Sequence, residues 1–152
     1  MEKILNMRII FIVLLIVGWG ILVACSREAP TIRFVVPSGF RGLFLVVEDK
    51  INGQEVKKIN GEIVFYIGKE GHVSIKDLKV FNSWHKLRGQ FQDGESLPPY
   101  SEVPNAKVAI FAVGSVPDIG RYYFIGAQTQ YDKISKQWDL STLPLAQELK
   151  LD

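Results

Sequence analysis

Histidine and cysteine, which are common in catalytic and zinc-binding sites, are rare in this chain. The sequence has one cysteine, Cys25, and two histidines, His72 and His85. The histidines are 13 residues apart and no cysteine lies near them, so the short-spaced ligand pair that is typical of zinc sites is missing. We therefore predict no metal site and no cofactor.

Hydrolysis through a nucleophilic serine needs a serine, a histidine and a carboxylate brought together. No serine has the closely flanking glycines of a nucleophile elbow, and Gly114-Ser115 comes nearest to that pattern. The sequence also contains no phosphate-binding loop, dinucleotide-binding glycine fingerprint or calcium loop. These patterns favour a protein without catalytic activity.

His85 lies in an alternating stretch that places it on one face of a strand with Leu87 and Phe91. A histidine on an apolar face is typically a hydrogen-bonded core residue. The alternative is an envelope hydrolase in which His85 works with a carboxylate such as Asp93 or Glu95, and only the geometry can decide between the two. For His72, which follows a glycine turn, we predict exposure to solvent.

Cys25 ends a segment that has the order of a secretory signal. A short charged start is followed by the apolar stretch from Ile9 to Val17 and then by Leu22-Val23-Ala24-Cys25. These last four residues match the lipobox of bacterial lipoproteins at every position. The resemblance implies a diacylglycerol group on the Cys25 sulfur, cleavage before Cys25, and acylation of the new amino terminus.

A lipid anchor on Cys25 would hold the protein to a membrane of the cell envelope, because two or three acyl chains give stable attachment. Ser26 is not the aspartate that favours retention in the inner membrane of Gram-negative families, so in such a source we expect the periplasmic face of the outer membrane. The alternative is an uncleaved spanning helix, although the apolar segment from Ile9 to Ala24 is shorter than the roughly 18 to 20 residues a bilayer core needs.

Removal of the predicted signal peptide, residues 1–24, leaves 128 of the 152 residues, which suits one domain. We expect the lipidated cysteine and a short tether at residues 25–30 and a single β-sandwich domain at residues 31–152. The mature chain has 16 basic and 15 acidic residues, and this balance does not predict nucleic-acid binding. Without a second cysteine it forms no internal disulfide.

Short runs rich in Val, Ile, Phe and Tyr, separated by Gly, Pro, Asn or Asp, predict an all-β fold. We expect an antiparallel β-sandwich of about seven strands and a short C-terminal helix that begins near Pro144. The predicted strands are Ile32 to Val36, Leu43 to Glu48, Glu62 to Ile67, His72 to Ile75, Trp84 to Phe91, Lys107 to Val113 and Tyr122 to Gln130.

The stretch from Gln92 to Asn105 contains three prolines and predicts an extended loop. Such a loop is either a crossover between two sheets, which we favour, or a binding loop. Several aromatic residues could line a carbohydrate or peptide surface, although most aromatic residues in a β domain of this size are core residues. They are Trp84, Tyr100, Tyr122, Tyr123 and Trp138.

The run from Val36 to Gly42, with its Pro-x-Gly-aromatic-x-Gly pattern, resembles a turn in a family of uncharacterised bacterial lipoprotein and secreted β domains. The similarity continues from Asn60 to Val73 and covers about Ile32 to Val80. One departure is Gly68, where a proline is expected. The resemblance implies a small β-sandwich of unknown function without catalytic residues.

Arg41 in that turn lies between glycines Gly39 and Gly42. An arginine beside exposed backbone N–H groups can receive a phosphate or a carboxylate, so these three residues form a candidate ligand site. The alternative is a solvated arginine on a structural turn. Together, the patterns predict a membrane-anchored, non-catalytic module that binds a protein or envelope component, with the hydrolase or a structural part of an envelope assembly as alternatives.

Overall fold

The computed structural model describes residues 29–116 and 120–136. The predicted signal peptide, the lipobox with Cys25, most of the tether and the helix predicted near Pro144 lie outside these residues. The strands are β1 (Thr31–Val36), β2 (Gly42–Glu48), β3 (Lys58–Ile59), β4 (Glu62–Tyr66), β5 (His72–Ile75), β6 (Lys86–Phe91), β7 (Ser96–Leu97), β8 (Ala109–Val116) and β9 (Gly120–Gly126), followed by helix α1 (Gln128–Ser135).

The strands form two sheets. The first sheet has the order β3-β4-β1-β6-β7 and the second has the order β5-β2-β9-β8. Apolar side chains from both sheets form one core cluster, in which the ring of Phe34 from β1 lies 5.1 Å from Phe44 of β2 and 4.8 Å from Tyr123 of β9. The prediction of an all-β sandwich is therefore confirmed.

The pairing differs from the expected antiparallel arrangement, because both sheets are mixed. β1 lies between β4 and β6 and is parallel to both, and β2 is parallel to β5. After β1 the chain leaves the first sheet to form β2 in the second sheet, and it then returns to form β3 and β4. A crossover connection of this kind allows β4 to pair with β1 in the same direction. Antiparallel pairs remain between β8 and β9, between β2 and β9, and in the short β3–β4 and β6–β7 pairs.

Alternation explains why β1 forms. Its even-numbered residues Ile32, Phe34 and Val36 are fully buried, whereas the odd-numbered ones are half-buried on the outer face. The β3–β4 hairpin depends on Asn60 and Gly61, which both have positive φ, at 52° and 84°. Two successive residues with positive φ match the twist of a tight hairpin, and Asn-Gly is the favoured pair for this turn.

A second apolar cluster covers the outer face of the second sheet. The ring of Phe111 on β8 stacks against Tyr100 of the preceding loop, at 4.7 Å, and against Tyr131 of α1, at 4.5 Å. The prediction of a strand up to Gln130 was wrong at its end, since β9 stops at Gly126 and α1 begins at Gln128. The side chain of Gln130 accepts a hydrogen bond from the Ala127 N–H at 2.9 Å and so caps the first turn of the helix.

The predicted loop from Gln92 to Asn105 crosses from the first sheet to the second, as we favoured, although it contains the two-residue strand β7. Its residue Pro99 forms an isolated parallel bridge with Ile110 of β8. In the described part of the chain, α1 is the single α-helix, and no helix there is long and apolar enough to cross a bilayer.

Candidate functional site

The turn that carries Arg41 is tied together by its own backbone. The Phe40 N–H donates to the Pro37 carbonyl at 3.0 Å, and Gly39 and Gly42 have φ values of 76° and 117°. The Arg41 guanidinium donates to the Phe40 carbonyl at 2.7 Å and lies over the Phe91 ring, 5.3 Å from its centre. Arg41 is exposed, and the anion site at Gly39, Arg41 and Gly42 stays a prediction.

A second turn packs beside the first and engages one of the carboxylates considered for catalysis. The Asp93 N–H donates to the Ser38 hydroxyl at 3.2 Å, and the Asp93 carboxylate accepts from the Glu95 N–H at 3.1 Å. Hydrogen bonds from the Ser38 side chain and from the Glu95 backbone lower the pKa of Asp93. These hydrogen bonds hold the two turns in place, so Asp93 has a structural role.

His85 is half-buried and has no acidic partner within the described ranges. Its Nδ1 lies 2.8 Å from the Ser83 carbonyl, and its ring meets the Phe81 ring edge-on at 5.6 Å. Over residues 29–116 and 120–136 no carboxylate comes within 4 Å of this histidine, whereas His72 lies 3.8 Å from Glu70. The structure thus does not bring His85 together with Asp93 or Glu95. The same residues contain no cluster of three metal-binding side chains.

A cleft of about 740 Å³ opens at the side of the sandwich, where β8 forms the edge of the second sheet. It lies between the start of β6, the loop after β7, strands β8 and β9, and helix α1. We call it the edge cleft. The residues that define it are Trp84, His85, Lys86, Tyr100, Ala112 and Arg121.

The edge cleft combines aromatic surface with positive charge. Trp84 is 76 % exposed, although an indole normally buries much of its surface. Arg121 donates to the Asn82 side chain at 3.3 Å and lies over the Phe81 ring at 5.4 Å. The cleft lining also contains one exposed carboxylate, Glu102, but no described carboxylate lies within 4 Å of Lys86 or Arg121, so the two cations outnumber it and can receive an anionic group.

A smaller cavity of about 240 Å³ lies on the outer face of the first sheet. Arg33 lines it and is held by Glu62 at 3.1 Å and by the Gln90 side chain at 3.2 Å. Arg33 and Glu62 in this cavity therefore partner each other. Of the two cavities, the edge cleft is the better candidate site.

Sequence analysis did not identify the edge cleft, although it named five of the residues that line it, His85 and Leu87 among them. Trp84, Tyr100 and Tyr123 line the cleft, Tyr122 is buried, and Trp138 lies beyond the described residues. The available signal was alternation, which places Trp84 on the same outer face as Lys86 and Arg88. A large aromatic residue that shares a face with two cations is expected to be exposed.

Tyr123, which lines the edge cleft, makes the free energy of unfolding of the protein depend on pH. Burial raises the pKa of its hydroxyl well above the usual value of 10.0. In the unfolded chain the Tyr123 hydroxyl loses its proton near pH 10, whereas in the folded state the hydroxyl stays protonated at that pH. The free energy of unfolding is therefore unaffected by this group below pH 10 and falls as the pH rises further. The loss is about 1.4 kcal/mol per pH unit for one such proton.

We expect Tyr123→Phe to resist alkaline unfolding better than the natural protein, by about 1 kcal/mol at pH 11, and to match it at pH 8. Urea unfolding between pH 8 and pH 11.5 measures this difference. Equal loss of stability in both proteins above pH 10 would show that the Tyr123 hydroxyl ionises freely in the folded state.

No protein-family model matches this chain, and no curated protein matches it in sequence. Among solved structures, the chain is similar to a protein of Bacillus anthracis described as a candidate lipoprotein. The two share 10 % sequence identity with a TM-score of 0.40, and the match covers 81 % of this chain and 87 % of that chain. The function proposed below rests on the residues of this chain.

Proposed function

We propose that this protein is a lipid-anchored, non-catalytic binding module of the bacterial cell envelope. The anchor is supported by the sequence, in which Leu22-Val23-Ala24-Cys25 follows a charged start and an apolar stretch. Acyl chains on Cys25 hold the domain at the membrane surface, because the five residues Ser26 to Pro30 span less than about 20 Å.

The observation that carries the binding role is the edge cleft. It is a concave site with an exposed indole and two cations that have no carboxylate within 4 Å among the described residues. Concave sites with aromatic walls and a few polar groups are typical of ligand-binding surfaces. The alternative function, an envelope hydrolase, would need a carboxylate next to His85. The close contacts of His85 are instead the Ser83 carbonyl and the Phe81 ring.

Cys25→Ala should abolish incorporation of labelled palmitate and block removal of the signal peptide, because the lipoprotein signal peptidase acts on the lipid-modified cysteine. The measurement compares natural and variant protein in growing cells, by radiolabel and by mass. Ser26→Ala is the matched control and should be acylated and cleaved normally. Label that still enters the Cys25→Ala protein would show that the lipobox assignment is wrong.

Photocrosslinking in intact cells tests the binding role. A photoreactive phenylalanine placed at Trp84 should give discrete crosslinked products, because that side chain is exposed at the edge cleft. The same group at Ile51, which is 83 % exposed but does not line the cleft, is the matched control and should give none. Equal products from both positions, or products from Ile51 alone, would contradict a binding role for the cleft.

A further inference from the structure

Strand β8 is the outer strand of the second sheet, and part of its free edge is already paired with a loop. The Ile110 N–H donates to the Pro98 carbonyl, and the Ile110 carbonyl accepts from the Tyr100 N–H, both at 3.0 Å. The loop thus acts as a very short parallel strand against Ile110. It then turns away, since the N–H groups of Glu102 and Val103 both bond to the Pro99 carbonyl.

Beyond that point no described residue pairs with the edge of β8, which borders the edge cleft. Residues two apart in a strand direct their N–H groups to the same side, so the Ala112 N–H points away from β9, as the Ile110 N–H does. Ala112 is exposed and lines the cleft. An irregularity in the β8–β9 pairing follows immediately, between Ala112 and Gly114.

Natural sheets usually protect an open edge with charged residues, with proline or with a covering segment. Strand β8 has the sequence AIFAVGSV, which contains neither a charged residue nor a proline. Among the described residues, the loop at Pro98 to Tyr100 covers only the part of the edge at Ile110. An unprotected edge that lines a cleft is the geometry that accepts an added strand.

Building on the proposed function, we propose that the edge cleft binds an extended peptide that adds as a strand to β8 and carries an acidic side chain. Its backbone carbonyl accepts from the Ala112 N–H, in continuation of the Pro98 to Ile110 bond. In the bound peptide an apolar side chain packs against the aromatic residues Trp84 and Tyr100, and an acidic side chain pairs with Lys86 and Arg121.

Charge complementarity supports the acidic character of the peptide. The cleft lining contains the cations Lys86 and Arg121 and one carboxylate, Glu102, and no described carboxylate lies within 4 Å of either cation. A basic peptide would bring like charges together in a partly desolvated cleft, and this would weaken its binding. Aromatic walls alone would also suit a carbohydrate, but an open backbone donor beside them favours a peptide.

The first test selects random heptapeptides, displayed on phage, against the full-length protein in detergent. We expect enrichment of sequences with an acidic residue and apolar residues at alternating positions. Synthetic copies of the enriched peptides should lose most of their affinity when the set of alternate backbone amides that faces β8 is N-methylated, and should keep it when the other set is. If no peptide is enriched, or if N-methylation of neither set weakens binding, the proposal is overturned.

The sharper test removes one donor from the protein. Ala112→Pro deletes the outward N–H, and proline is tolerated on an edge strand where the N–H faces solvent. We expect peptide binding to weaken about tenfold, through the lost hydrogen bond and the bulk of the ring. Ala112→Thr keeps the N–H at the same exposed position and should bind within about twofold of the natural protein. Thermal unfolding checks that both variants remain folded.

Two further outcomes separate this proposal from the broader binding role. Lys86→Gln should weaken binding several-fold and reduce its dependence on salt, as expected for an acidic ligand. If chitotetraose binds instead, with affinity lost in Trp84→Ala and unchanged in Ala112→Pro, the peptide proposal is wrong although the cleft remains a binding site. The crosslinking experiment at Trp84 judges the binding role independently of either probe.

Discussion

Replacement of Phe34 by alanine is expected to lower the free energy of unfolding by about 3 to 5 kcal/mol, which is the usual cost of truncating a buried phenylalanine. Phe34 is fully buried at the centre of the core. Its ring lies within 6.2 Å of four other aromatic rings, those of Phe44, Phe65, Phe81 and Tyr123. Phe65 belongs to the first sheet, Phe44 and Tyr123 belong to the second, and Phe81 ends the 3-10 helix Leu78–Phe81. The cavity left by truncation therefore lies between the sheets, where backbone pairing restricts collapse.

Chemical denaturation of the full-length protein measures this loss, which should also lower the melting temperature by about 10 to 20 °C. Trp84→Ala is the matched control, since it removes a larger but 76 % exposed ring, and should change stability by less than about 0.5 kcal/mol. Should Phe34→Ala fail to fold, Phe34→Leu should remain folded with a smaller loss of about 1.5 kcal/mol. Similar effects of Phe34→Ala and Trp84→Ala would contradict this account of the core.

Gly120→Ala should lower the free energy of unfolding by about 2 to 6 kcal/mol, because backbone strain and overpacking each cost about 1 to 3 kcal/mol. Gly120 begins β9 with φ at 151°, and an added Cβ would overlap the Val46 carbonyl oxygen and lie 3.3 Å from Leu45 Cδ1. The neighbour that must move is the backbone of β2, which pairs with β9 at this point. A flexible side chain could yield, but a paired strand does not.

Gly39→Ala provides the matched control for that substitution. Gly39 also has positive φ, at 76°, but a Cβ built there meets no atom within 4 Å. Its cost should be limited to about 1 to 2 kcal/mol of backbone strain. Equilibrium unfolding of both variants isolates the contribution of the close approach between β9 and β2. Equal losses would show that the overlap with Val46 is relieved by a small shift.

Sequence patterns were sufficient to locate the strands in which adjacent residues differ in polarity. The alternation of Ile32, Phe34 and Val36 and the glycine before His72 gave β1 and β5 nearly residue for residue. Alternation shows which face of a strand is buried but does not show which strand lies beside it. The parallel neighbours of β1 depend on contacts with residues 62–66 and 86–91, and the local pattern does not encode these.

The end of β9 and the start of α1 show a different limit. The run from Tyr122 to Ile125 is typical of a strand, and the predicted strand continued through Gln130, whereas β9 ends at Gly126. Tyr131 and Ile134, three residues apart on one helix face, were the local signal for α1, and both pack in the second cluster. The edge cleft was still less predictable, since residues from at least four separate segments meet there.

The position of β9 has a consequence for the order in which the protein is assembled. It lies between β2 and β8, so the second sheet has a gap until residues 120–126 are available, although β2 comes early in the chain. Native pairings between distant segments form slowly, and a chain that is cut short before β9 cannot close its core. Because β9 is the last strand among the described residues and lies inside the second sheet, that sheet and its share of the core are completed only after nearly all of the described chain has been synthesised.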